Sequence, residues 1–108
     1  MNQAIQINQK DNVATVIQDV SINQKVEIID KNGYILINLN ARDCINLGHK
    51  IALQDIPRGK LVFKYGFAIG KTLVNINKGN HVHVHNIESQ KGRGDLGKTN
   101  RCKKGGGQ

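Results

Sequence analysis

The sequence predicts a small all-β domain with few or short helices and a flexible C-terminal tail, on three observations. Apolar weight falls on Ile, Val and Leu, with no Trp and only two Phe and two Tyr, and β-branched side chains suit strands. Gly and Asn recur at matching offsets between apolar runs, as turn residues do. Helix signals are weak: Asp11 could cap a turn over Val13–Ile17 and Asp43 another short one, but neither segment continues far enough for a regular helix. With 108 residues the chain has room for one core. We expect a domain over residues 1–87 and a tail over 88–108, because the chain turns polar and Gly-rich from Glu88 and ends in Lys103-Lys104-Gly105-Gly106-Gly107-Gln108.

Taken in order, Val26–Lys31 alternates as a strand does, Asn32-Gly33 follows, and Tyr34–Leu39 resumes. Asn-Gly between β-rich runs predicts a type I′ hairpin, since both turn residues must tolerate positive φ. Leu61–Tyr65 and His81–Ile87 are further strand candidates. An internal repeat connects them. Ile56-Pro57-Arg58-Gly59-Lys60-Leu61-Val62 matches Ile76-Asn77-Lys78-Gly79-Asn80-His81-Val82. Val20–Val26 fits with Asn23 in place of Gly, and Ile45–Ile51 fits loosely around Gly48. Gly and Asn enter left-handed turns most readily, so each unit reads as a tight turn feeding a short strand. Several of them predict a folded-over β structure.

The net charge is +8, but residues 91–108 hold six cations against Asp95, leaving +3 on residues 1–90. Basicity confined to a tail argues against specific nucleic-acid reading and for solubility or docking to an acidic partner. No stretch approaches the roughly 20 apolar residues that span a bilayer, and the N-terminus lacks a signal-peptide layout. A cytoplasmic protein without membrane contact is expected. Cys44 and Cys102 have no metal-ligand spacing, so both are expected to be reduced thiols there.

The richest constellation is His81-Val82-His83-Val84-His85-Asn86. On a strand alternate residues share a face, which would align the three imidazoles and send Val82 and Val84 into the core. Two His at i and i+2 can chelate one metal, whereas His81 and His85 would stand about 13 Å apart on an ideal strand. The metal candidates are therefore His81, His83 and His85, with His83 central. The competing reading is three solvated or hydrogen-bonded imidazoles on a polar face. Gly48-His49-Lys50 and Lys64-Tyr65-Gly66 each join a turn residue to side chains that hold a carboxylate or move a proton. His49, Lys50 and Lys64 are the catalytic candidates, and Lys50, Lys64 and Asn86 the substrate-binding ones. Their competing reading is turn chemistry with solvated charges. Two apparent motifs fail. Gly92-Arg93-Gly94-Asp95-Leu96-Gly97 fits a dinucleotide fingerprint but has no βαβ unit around it. Gly66–Thr72 has three residues between its glycines where a phosphate loop has four, and no helix follows. Arg93-Gly94-Asp95 is a chance tripeptide.

Leu47–Ile56, Gly59, Val62–Gly66, Ile69-Gly70, Ile76, Gly79 and His81–Asn86, in this order, resemble the SAF domain of the altronate and galactarate dehydratase family. Asp11–Ala14 fits that domain's start, and the likeness covers roughly residues 5–96. The resemblance implies a β-clip fold and loss of water from a hexonate such as D-altronate, giving a 2-keto-3-deoxy acid. It implies iron, with manganese as an alternative, and a large catalytic subunit as partner. A similar small subunit occurs in sulfolactate sulfo-lyases, which eliminate sulfite. The chemistry is a β-elimination: a base takes the proton α to the carboxylate, a cation stabilises the enediolate and an acid helps the hydroxyl leave. This chain offers cations and imidazoles but few carboxylates, so the remainder is expected from the partner. A non-catalytic substrate-binding or docking module is the other functional class.

Overall fold

The computed structural model describes residues 2–89; the expected tail lies almost wholly outside them. Among the described residues there are nine strands and no helix. The strands are β1 (Asn2–Ile5), β2 (Val13–Val16), β3 (Lys25–Ile29), β4 (Ile35–Asn40), β5 (Lys50–Ala52), β6 (Leu61–Lys64), β7 (Phe67–Thr72), β8 (His81–Val82) and β9 (Ile87–Ser89). Six form a mixed sheet in the order β4-β3-β1-β2-β5-β8, and three an antiparallel sheet in the order β6-β7-β9. Within the larger sheet β1 and β3 run parallel, and every other pair is antiparallel.

The four repeat units all become the same turn. Asn23, Gly48, Gly59 and Gly79 hold φ of 72°, 88°, 82° and 92°. In each unit the residue after them donates its N–H back across the turn, Gln24 to Ser21, His49 to Asn46, Lys60 to Pro57 and Asn80 to Asn77. The apolar residue opening each unit is buried, and these residues pair two by two as isolated bridges, Val20 with Ile45 and Ile56 with Ile76. Two such pairs give two cores. One gathers Val16, Val20, Val26, Ile28, Ile45 and Ile51, and the other Val13, Ala52, Ile56, Val62, Ile76 and Val82. Gly79 is the most constrained of these turn residues: a Cβ there would stand 2.5 Å from the Asn40 carbonyl oxygen, a distance no side chain tolerates.

Three local expectations change. Asp11 caps no helical turn, because Val13–Val16 is a strand. Its buried carboxylate instead accepts N–H bonds from Asn8, Tyr65 and Gly66 at 2.8–3.0 Å. Asn12 bonds the backbone of Leu61 and Phe63 alongside it, so this dipeptide laces the small sheet to the large one. The type I′ turn lies at Tyr65-Gly66, with φ of 58° and 81° between the paired residues Lys64 and Phe67, and not at Asn32-Gly33. There only Gly33 has positive φ, and the Asp30 carboxylate accepts from the N–H of Asn32 and Tyr34. That local bond offers the chain a wider loop than the two-residue hairpin. Lastly, Cys44 is disulfide-bonded, not the free thiol expected; Cys102 lies outside the described residues.

Candidate functional site

The histidines do not share a strand. Strand pairing in this segment ends at Val82, and residues 83–86 form a turn before β9. Asn86 makes that turn. Its side-chain oxygen accepts from the His83 N–H at 2.9 Å, its side-chain nitrogen donates to the His81 carbonyl at 2.8 Å, and its own N–H reaches the His83 carbonyl. Asn86, expected to bind substrate, has its buried amide committed to the backbone at both ends. Val84 is exposed instead of anchoring the core, whereas Val82 is fully buried. The ring centroids of His81 and His85 lie 4.8 Å apart, because the chain curls where an ideal strand would separate them.

Strand pairing supplies the fourth imidazole. β5 and β8 pair as Lys50 with Val82 and Ile51 with His81. Continued by one residue, this antiparallel register sets His49 opposite His83, and cross-strand neighbours on one face are in contact range. The His49 and His83 rings stack with centroids 3.8 Å apart and planes 3° from parallel. The diagonal neighbour His81 lies 2.9 Å away, Nε2 to Nδ1 of His49, one ring donating and the other accepting. The nearest donor atoms of His49, His81 and His83 all fall within 4.8 Å of one another. The three imidazoles whose donor atoms converge are thus His49, His81 and His83, where the expected trio had His85 in place of His49. Reasoning along one strand could not find this. The available signal was Gly48, whose match to Gly79 in the repeat marks the turn feeding β5, with His49 the residue just before that strand and Lys50 at the position of His81.

Asp43 positions the buried His81 from outside the cluster. Expected as a helix cap, its carboxylate accepts from the His81 N–H at 2.8 Å and from the Asn80 side chain at 3.0 Å. The cluster is held neutral. Burial first, then the other imidazoles and Lys50, pushes His81 down to about 3; burial, then His49, Lys50 and His85, takes His83 to about 4. His49 is also lowered, by burial and then Lys50 and His85 against an opposing pull from Asp19. His85 is lowered by burial, with Asp43 opposing. Among the described residues the buried polar side-chain atom left without a hydrogen-bond partner is His83 Nδ1.

The lysines converge on the same end of the fold. Lys50, on β5 next to His49, is driven down to about 8 by burial and then by the neighbouring charge of Lys64. Lys64 ends β6, its ammonium 5.0 Å from the centre of the Tyr65 ring in cation–π range. The structure thus brings together His49, Lys50, Lys64, His81, His83 and His85, from segments that are well separated in sequence. The arrangement offers neutral nitrogen donors beside a cation able to lose its proton near neutral pH.

Comparison with known proteins places this geometry. The profile of the altronate/galactarate dehydratase SAF domain matches residues 2–90. Altronate dehydratase of Bacillus subtilis (strain 168) is 38% identical over 89 residues, 82% of this chain and 17% of that protein. Altronate dehydratase of Escherichia coli (strain K12) is 38% identical over 87 residues, 81% of this chain and 16% of that protein. The (2R)-sulfolactate sulfo-lyase subunit alpha of Chromohalobacter salexigens is 36% identical over 55 residues, 51% of this chain and 58% of that subunit. The chain therefore spans about a sixth of the altronate dehydratases it matches. With all of the described residues inside the matched segment, the chain belongs to the altronate/galactarate dehydratase SAF-domain family.

Proposed function

We propose that this chain is the small subunit of a sugar-acid hydro-lyase. It works with a larger catalytic subunit to dehydrate D-altronate or a related hexonate to a 2-keto-3-deoxy acid. The observation that carries the reading is the imidazole–lysine cluster at the β5–β8 end. It has cations and neutral nitrogens, while the carboxylate beside it, Asp43, is engaged by His81 and Asn80. Such a set binds an anionic substrate but lacks part of an acid–base pair. The altronate dehydratases extend far beyond the matched segment, which supports a partner supplying the rest.

In this reaction the proton α to the carboxylate goes to a base, the β C–O bond breaks, and the hydroxyl leaves as water after taking a proton; the enol then becomes the ketone. Lys64 and the charged form of Lys50 hold the substrate carboxylate, which lowers the cost of the enediolate's second negative charge. Lys50, poised near 8, exchanges a proton readily at neutral pH. His49 shares a proton with His81 and offers a second proton-transfer group. Asn86 acts by holding the turn that carries His83. Iron, or manganese, is the cofactor the resemblance implies. Neutral imidazoles suit iron, whereas manganese favours oxygen ligands, so the donor set fits iron better. A bound cation would supply further charge stabilisation to the enediolate.

A second reading is the small subunit of a sulfolactate sulfo-lyase. It is favoured by the matched segment's filling 58% and 79% of two alpha subunits. One experiment separates the readings: the chain, co-purified with the large chain and alone, is assayed against hexonates and sulfolactate. We expect the pair to dehydrate a hexonate and the isolated chain to be inert. Replacement Lys50→Met in the pair should cut turnover at least roughly 100-fold, the upper range for losing even an outer-shell partner of a site. Turnover of sulfolactate alone selects the sulfo-lyase. Wild-type turnover by Lys50→Met reduces the chain to a docking module.

A further inference from the structure

We infer that His49, His81 and His83 form a divalent-cation site with coordination positions left open, in which His49 takes the place that strand alternation assigned to His85. The inference deepens the lyase reading by placing its cation, and rests on it only for the cation's use in the reaction. Binding itself is a property of these side chains.

Two observations carry it. The donor atoms of the three rings lie within 4.8 Å of one another, on segments that the β5–β8 pairing holds in register. Two nitrogens bound at 2.0–2.1 Å to a tetrahedral ion stand roughly 3.3 Å apart. The 2.9 Å between His49 Nδ1 and His81 Nε2 needs to open by only a few tenths of an ångström. The second observation is His83 Nδ1, buried without a hydrogen-bond partner among the described residues. A buried polar atom left unmade is costly, and nothing described around it offsets that cost, whereas a cation would.

The stacking of His83 on His49 sets one requirement. Imidazole lone pairs lie in the ring plane, so two parallel rings 3.8 Å apart cannot both aim at one ion. The His83 ring must turn toward the His49–His81 pair. Its backbone is fixed by Asn86 and does not need to move. His85 is tilted 39° against His81, lies beside Asp43 and stays outside the ligand set. Three nitrogen ligands leave the remaining positions to water, a substrate oxygen or a partner carboxylate, as catalytic metal sites keep positions open.

The test uses the full 108-residue chain, freed of metal with chelator and titrated with Co2+ while its visible absorption is followed. One Co2+ per chain is expected. Affinity should fall at least roughly 10-fold in His49→Ala and in His83→Ala, the lower end of what losing even an outer-shell partner costs, and stay within roughly twofold in His85→Ala. Thermal melts report that each variant is folded, and His83→Gln provides a second probe if His83→Ala is not. Absence of one-to-one binding by the wild-type chain would overturn the inference. So would binding that survives His49→Ala and is lost in His85→Ala. Neither result depends on turnover, so the lyase reading stands or falls separately.

Discussion

The two edges of the six-stranded sheet invert the usual rule of apolar in and polar out. At one edge, β4 exposes Ile35, Leu36 and Ile37, beside an exposed Tyr34. No charged residue falls between Tyr34 and Asn40, although charge is a common device for blunting free edges. At the other edge, β8 is two residues long, and both His81 and Val82 are buried. The difference lies in what each edge is joined to. His81 can be buried because its N–H, its carbonyl and its ring all find partners, in Asp43, Asn86 and His49. β4 gains nothing comparable, since its residues pair with β3 on one side only. Truncating a buried side chain at the histidine edge is therefore expected to cost more than truncating an exposed one on β4.

The sharpest way to break this comparison is matched truncation. Ile51, fully buried and paired with His81, should cost roughly 2–5 kcal/mol as Ile51→Ala. Ile35→Ala on the outer edge should change stability by no more than about 0.5 kcal/mol. Denaturant unfolding of the two variants measures both, and similar losses would show that the edges are equivalent.

A smaller effect is expected at the turn entering β8. Gly79→Ala puts a side chain at φ +92° against the Asn40 carbonyl and disturbs the Arg42 N–H bond to the Gly79 carbonyl. We expect a loss of roughly 1–3 kcal/mol, the usual cost of a strained backbone site. Altered imidazole proton shifts in NMR spectra should accompany it. Unchanged imidazole shifts would mean that the turn does not position the cluster.

Mildest near neutral pH, and growing as the pH falls, is the proton linkage of the cluster. His81 and His83 are depressed to about 3 and about 4 from an ordinary 6.5. Between those values and 6.5 the unfolded chain binds protons that the folded chain refuses. Stability from this source is full above pH 6.5 and declines as pH falls toward 4. Melting temperatures recorded across that window in chelator should fall, and His81→Gln should flatten the slope. An unaltered slope would place the acid sensitivity elsewhere.

The sequence by itself determined what local chemistry can determine. Asn23, Gly48, Gly59 and Gly79 could be read as turns because positive φ is a property of one residue and its neighbours. With Ile- and Val-rich runs between them, those turns were enough for the all-β class. Tertiary structure decided where the runs meet. His49 joins His83 only through the pairing of β5 with β8. The β8 strand stops at Val82 because Asn86 turns the chain. Asp11 leaves its own segment to clamp Tyr65 and Gly66, 54 and 55 residues away. Each of these depends on register between distant segments, which no single stretch of sequence encodes. That is why the strand rule chose His85, while folding brought in His49.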